Sequence, residues 1–340
     1  MLKIPIDLTT LSNTAIITGV SGQDGSYLAS FLLKKGYTVI GIVRSLGSTD
    51  LKGLRYLGIY DQILIEECDL LDVTQIIRLI KDYKPREIYN LAAQSSVGQS
   101  FFQPIGTIQY NINSVLNLLE AIKNTGLPVR FYQASSSEMY GKVKHLPINE
   151  DTPFHPLSPY AVSKASAHWI ATNYREAYDL YVACGILFNH ESYLRKHTFF
   201  VKKVISDSID IKIGKRQYLE VGNIEIKRDF GFAPKYVEAM WLMLQQDTAS
   251  DYLICSNKSI SLRDIIEYVF KYLEINTNCL RIEQSLFRPT DIEDIYGDNT
   301  LVKEKLGWQY EMDFKTVLSI LIDEEMTARK IITPVKGSNL

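Results

Sequence analysis

Short apolar runs alternate with amphipathic stretches through the first half of the chain. Ala15-Ile16-Ile17, Thr38–Val43, Ile63–Leu70, Glu87–Ala93 and Arg130–Ala134 read as strands. Ser26–Lys35, Val73–Tyr83 and Asn111–Asn124 carry apolar positions at helical spacing: Tyr27, Leu28, Phe31 and Leu32 in the first, Val115, Leu118, Leu119 and Ile122 in the third. Gly36 is placed to end the first helix, and Lys84-Pro85 the second. This alternation predicts an α/β fold with a doubly wound parallel sheet, which binds ligands at the carboxyl ends of its strands.

The second half has a different texture. Ala161–Tyr178 reads as one long helix and Tyr181–Leu187 as a strand, with further helices at Tyr236–Gln246 and Leu262–Leu273. Between them lie many basic and aromatic residues, including Arg195, Lys202, Lys203, Lys215, Arg216 and Arg228. The pattern shows no repeat and no long linker, and the end from about Lys330 is expected to fray.

Composition narrows the classes. With 340 residues and 46% apolar residues, the chain can bury a sizeable core. A formal charge of −2 gives no field for nucleic acid or an anionic membrane, so phosphate binding must rest on a few placed groups. No apolar run suggests a membrane span, and Met1–Asn13 lacks the pattern of a signal peptide. Cys68, Cys184, Cys255 and Cys279 have no metal-ligand spacing and are expected to be buried thiols in a reducing cytoplasm. With only five histidines, no metal is expected.

The first strand feeds Thr18-Gly19-Val20-Ser21-Gly22-Gln23-Asp24-Gly25, a G-x-x-G-x-x-G turn that opens a helix. Such glycines let backbone N–H groups approach a pyrophosphate at a helix N-terminus, as in a Rossmann dinucleotide site. Thr18, Gly19, Gly22, Gln23, Asp24 and Gly25 are therefore cofactor-binding candidates. The second strand ends in Arg44-Ser45, where an acid would hold the ribose of NAD and a base accommodates the phosphate of NADP. Arg44 favours NADP. Asp69, followed by Leu70, either faces the adenine or caps the next helix. Leu91, Ala92 and Ala93 end the fourth strand in residues suited to close packing on the cofactor. The expected division is thus 13–188, mainly an NADP-binding Rossmann domain with the catalytic residues, and 189–330, mainly a smaller α/β substrate-binding domain. The chain is free to cross back between them.

Tyr160 and Lys164 share a helix face at i, i+4. An ammonium beside the phenol is expected to lower its pKa from about 10 and make it a base for a carbinol proton. Ser136, at the end of the fifth strand, can bond the same substrate oxygen. Glu138 adds a carboxylate that oxidation and re-reduction alone do not need. It points to loss of water, rather than to a mere cap of the following segment.

The motifs T-G-V-S-G-Q-D-G-S-Y-L, N-L-A-A-Q-S-S-V, S-S-S-E-M-Y-G, S-P-Y-A-V-S-K and I-L-F-N-H-E-S resemble the extended short-chain dehydrogenase/reductases that act on nucleotide sugars. N-Y-R-E-A-Y, W-L-M-L-Q-Q, F-R-P-T-D and K-L-G-W bring the chain closest to the GDP-mannose 4,6-dehydratases, from about Ala15 to about Phe314. The resemblance implies an NADP that is retained: the hexose 4-hydroxyl is oxidised, the carbon-5 proton is removed, water leaves from carbon 6, and the hydride returns there. It implies Tyr160 as oxidation base, Lys164 as its partner and a ribose ligand, Glu138 as dehydration base, and Ser136 where the family usually has threonine. Asn189, Lys203, Arg228, Arg288 and Asp291 are implied as substrate-binding residues, with Asp291 standing where glutamate is common. His190 is expected to be a packed structural histidine.

The resemblance further implies a homodimer or homotetramer, although Ser45–Gly53 is shorter and less basic than the family's subunit-bridging loop. That departure leaves room for a different sugar, such as a GDP-heptose. A related nucleotide-sugar epimerase or reductase is the other reading.

Overall fold

The computed structural model describes residues 13–331. Residues 1–12 and 332–340, which carry the signal-peptide reading and most of the expected fraying end, lie outside the described residues. The first half runs β1 (Thr14–Thr18), α1 (Gln23–Lys34), β2 (Thr38–Val43), α2 (Lys52–Tyr56), β3 (Leu64–Glu67), α3 (Val73–Tyr83), β4 (Glu87–Asn90), α4 (Val97–Phe102), α5 (Pro104–Thr125), β5 (Arg130–Ser136), α6 (Pro159–Tyr178) and β6 (Val182–Leu187). The second half runs β7 (Asn189–Glu191), α7 (Phe200–Lys212), β8 (Leu219–Val221), β9 (Lys227–Phe232), α8 (Ala233–Met243), β10 (Tyr252–Ile254), β11 (Ser259–Ser261), α9 (Leu262–Leu273), β12 (Leu280–Ile282), α10 (Thr300–Leu306) and α11 (Phe314–Ala328).

The main sheet has the order β10-β6-β5-β4-β1-β2-β3, with every neighbouring pair parallel. Alternate residues of each strand enter opposite cores, which is why the strands read as continuous apolar runs. Ile17, Tyr89, Tyr132 and Ala183 face α1 and α8, while Ile16, Ile88, Phe131 and Val182 face α3, α5 and α6. The strand order reverses between β1 and β4, and a crevice opens there.

After β6 the chain divides its elements between two bodies. α8, β10 and α10 return to the first, where Tyr236, Met240, Ile254, Val302 and Trp308 join its core. The second body packs α7, α9 and α11 around Leu219, Val221 and Phe230. It contains a mixed sheet β11-β9-β7 and the parallel pair β12-β8.

Several boundaries differ from the sequence expectation for physical reasons. The helix expected at Asn111–Asn124 begins at Pro104, because proline suits the first helical turn while exposed Ile105 hides its periodicity. The cap of α3 is Asp72, whose carboxylate accepts from the amides of Thr74 and Gln75, and not Asp69. Asp69 instead accepts from Leu71 N at 3.0 Å.

The returning segment is fastened by a buried acid. Glu87 accepts hydrogen bonds from Tyr37 (3.0 Å), Tyr89 (2.8 Å) and Gln245 (3.0 Å). Gln245→Ala leaves part of that carboxylate unsatisfied and should cost about 1–3 kcal/mol in urea unfolding. A loss within error would show that water replaces the amide.

Candidate active site

The glycine turn is built by close backbone approach. Gly19 has φ +70°, and a Cβ on Gly25 would lie 2.3 Å from the Gly19 carbonyl oxygen. Only glycine fits there. Thr18 Oγ1 donates to Asn90 Oδ1 (2.7 Å) and accepts from the amides of Leu91 and Ala92 (3.1 Å each), tying the ends of β1 and β4. Beside this junction lies a groove of about 530 Å³, walled by Gly19, Gly22, Gln23, Asp24, Gly25, Arg44, Leu70, Leu91, Ala92 and Ala93. Thr18 shapes this wall from behind. Asp69 stands off it with a carboxylate oxygen 3.9 Å from Arg44 Nε.

A second cavity of about 750 Å³ adjoins the groove, and Asp24, Leu91, Ala93, Ser95, Arg195 and Phe199 line both. Its floor carries Ser136, Glu138, Tyr160 and Lys164, brought together where the end of β5 meets the start of α6. Ser158 caps α6 by accepting from Ala161 N, and Pro159 sets its first turn, so Tyr160 and Lys164 emerge on one face. Ser136, not Glu138, caps the short turn after β5, accepting from Glu138 N at 3.3 Å. The Glu138 side chain is left facing the cavity.

The expected lowering of the Tyr160 pKa is not present. Burial pushes the phenol up to about 12, against a smaller opposing effect of the Ser136 hydroxyl, and the nearby Glu138 charge adds to the rise. Lys164 does not offset this: its Nζ is held 6.0 Å from the Tyr160 ring centre, where it donates to the Ala134 carbonyl at 2.8 Å. Burial brings that ammonium down to about 8.

Of the expected substrate residues, Asn189, Arg228 and Arg288 line the cavity. Asp291 lies behind it, where it accepts from Arg228 Nη2 at 2.9 Å and sits 3.9 Å from Arg288 Nη1. It therefore braces the arginines. Lys203 is not on the cavity wall: its ammonium donates to the Glu220 carbonyl.

Other wall residues carried no readable signal. Thr49, Tyr110, Leu194 and Lys196 line the groove, and Phe101, Phe102 and Phe287 the cavity. Only the fold brings them there. Arg195 could have been suspected from its place among the basic residues after β7. His190 is packed as expected, its ring stacked on Tyr236 at 4.7 Å. It also meets Asp24, with Nε2 2.9 Å from the carboxylate.

Among the described residues, His168, Cys184 and Asp251 form a group of metal-ligand type within 4.8 Å of one another. Asp251, however, is engaged by Arg175 at 2.6 and 3.0 Å, and His168 Nδ1 lies 3.0 Å from Ser135 Oγ. This network steadies the end of β5.

A glycine-lined groove at the switch point, opening onto a Ser/Glu/Tyr/Lys corner, defines an extended short-chain dehydrogenase/reductase. The family model for GDP-mannose 4,6 dehydratase matches residues 16–321, and the chain belongs to that family. It is 40% identical to GDP-mannose 4,6 dehydratase 1 of Arabidopsis thaliana, covering 95% of this chain and 92% of that protein. The GDP-mannose 4,6 dehydratase of Homo sapiens is also 40% identical, with 92% and 91% covered. Among solved structures, DesIV, a dTDP-glucose 4,6-dehydratase from Streptomyces venezuelae solved with NAD, superposes with TM-score 0.85 at 20% identity over 93% of this chain and 98% of that one. RMD from Pseudomonas aeruginosa, complexed with NADPH, gives 0.77 at 25% identity over 93% and 100%.

The Asp24–His190 pair links the groove to protonation. Burial alone would raise Asp24, but His190, Gln23 and Arg195 bring it to about 2. Burial lowers His190, but the charge of Asp24 and its hydrogen bond outweigh this and raise it above 6.5. The histidine's contribution is therefore full below pH 6.5 and lost as pH rises through the raised value. The aspartate's is full above 3.8 and lost as pH falls toward 2. The gap between thermal melts of the parent and His190→Gln should be widest between about pH 4 and 6.5 and narrow at alkaline pH to what the ring's packing contributes. A gap independent of pH would mean that the ring acts by packing alone.

Proposed function

We propose that the protein converts GDP-mannose to GDP-4-keto-6-deoxy-mannose, with bound NADP taking up and returning the hydride. The observation that carries the reading is Glu138 on the cavity wall beside Ser136, Tyr160 and Lys164. An epimerase or reductase has no use for a second base at that position.

The groove fits the cofactor. Backbone amides of the glycine turn suit a pyrophosphate, and Arg44, three-quarters exposed at the end of β2, is free to meet a ribose phosphate. The NADPH complex of RMD supports the same choice. Bound there, oxidised NADP would supply the hydride acceptor and a positive charge.

The chain's own groups do the rest. Ser136 and Tyr160 bond the 4-oxygen of the hexose, and Tyr160, once it is the phenolate, accepts its proton, a form that the raised phenol pKa disfavours. Lys164, still mostly protonated at neutral pH, would hold the cofactor's ribose. Once carbon 4 is a ketone, the carbon-5 proton is acidic. Glu138 removes it and passes it to the departing 6-hydroxyl, which leaves as water; when the hydride returns to carbon 6, carbon 5 takes up a proton in exchange for the one Tyr160 took from the 4-hydroxyl, which restores both groups. Arg228 and Arg288 suit the diphosphate, forking onto its oxygens with Asp291 holding them in place.

A homodimer or homotetramer is supported by α5 and α6, which lie side by side and expose Ile105, Val162 and Trp169. Among the described residues no helix is long and apolar enough to cross a membrane. The free cysteines fit the cytoplasm as the compartment.

Mass spectrometry of a panel of nucleotide sugars, incubated with the protein and catalytic NADP, tests the reading. GDP-mannose should lose one water without net consumption of cofactor. Loss from a different sugar would move the substrate, and no loss from any would overturn the dehydratase. Glu138→Gln should slow water loss by about 10²–10⁴-fold. Full turnover in that variant would remove Glu138 from the mechanism.

A further inference from the structure

One wall of the cofactor groove comes from the second body. Leu194, Arg195, Lys196 and Phe199 lie on it, all within the segment that follows β7. This segment is fastened to the first body at two points. Ser192 Oγ donates to Gln23 Oε1 at 2.8 Å, on the first residue of α1. Tyr193 stacks on Tyr56, the last residue of α2, with ring centroids 4.5 Å apart and planes 30° apart. Next to that stack, Leu194 lies against the backbone of α2 so closely that a Cβ on Gly53 would come 3.3 Å from Leu194 Cδ1.

The other side of the segment is held by α7 and α11. Lys202 Nζ donates to the Tyr193 carbonyl at 2.8 Å, lies 4.1 Å from the Tyr193 ring centre, and is paired with Glu325. Tyr56 Oη donates to Glu324 at 3.3 Å. The two tyrosines thus form the joint at which α2, the segment and α11 meet. Neither touches the catalytic corner.

We propose that Ser192–Phe199 is a clasp across the cofactor groove, latched by the Tyr56–Tyr193 stack, and that these two tyrosines are positioning residues that keep the dinucleotide bound between turnovers. The proposal rests on the dehydratase reading. An enzyme that returns the hydride to the sugar it came from gains nothing by exchanging cofactor, and loses its half-reacted sugar if the reduced form departs. Opening the groove requires the segment to lift from α2, and the stacked pair opposes that lift. Aromatic pairs of this kind act over and above their buried area.

The test is the dissociation rate of NADPH from the full-length protein, followed by loss of its bound fluorescence on chase with excess NADP. Tyr193→Ala and Tyr56→Ala should each release it about three- to tenfold faster. Tyr193→Phe and Tyr56→Phe, which keep the rings, should release it within twofold of the parent. A general loosening of the fold would not be rescued by phenylalanine in this way. Unchanged release from both alanine variants, with the parent binding NADPH, would overturn the clasp and leave the dehydratase reading standing. Failure of the parent to bind NADP or NADPH at all would overturn both.

Discussion

One hydroxyl sits where the architecture divides. Thr18 Oγ1 spans the ends of β1 and β4, the two strands from which the sheet is wound in opposite directions, and satisfies a side chain and two backbone amides there. Without it, Leu91 N and Ala92 N would lose an acceptor at the point where the chain leaves the sheet. The glycine turn begins at the next residue, and the wall formed by Leu91, Ala92 and Ala93 begins on the facing strand. Asn90 passes the order on, donating to Gln133 on β5 at 2.8 Å. Ser136 lies three residues further along that strand. The cofactor groove and the chemistry are therefore registered through one row of polar side chains across the strand ends.

Burial then decides how charges behave around that row. In a chain with net charge −2, a site for a diphosphate has to rest on local arrangement, and the cavity offers sunken cations with fixed partners. Arg228 is nearly fully buried, and its guanidinium is held by the carbonyls of Lys227 and Ile292 as well as by Asp291. A desolvated but oriented cation interacts strongly with an incoming anion, because water does not screen it. Burial also works against the chemistry at Tyr160, where it stabilises the neutral phenol.

Much of this was legible in the sequence, because its signals are local. A strand, a glycine turn and an amphipathic helix occupy a short window, so β1, α1 and β2 could be read together. Tyr160 and Lys164 could be placed on one face because helical spacing fixes it. The pKa relation between them could not, since it depends on where Lys164 Nζ finds an acceptor, and Ala134 lies thirty residues away. Lys203 and Asp291 show the same limit. The family resemblance implies substrate contact for both, but the conformation of α7 and the presence of Arg228 give their side chains other partners. The start of α5 was hidden for a different reason: Ile105 is 71% exposed, so the helix lacks its apolar stripe there.

The return of α8, β10 and α10 to the first body has a consequence for how such a protein can be altered by recombination. The chain passes between the two bodies several times, so no single cut yields two independently closed cores. Removing everything after β6 would strip β6 of its neighbour β10 and expose Tyr89, Tyr132 and Ala183, which pack with Tyr236 and Met240 in one cluster. The second body cannot be exchanged as a terminal module, as an appended domain could. The second body can be altered by substitutions and loop insertions within an interlaced framework, and not by a single crossover.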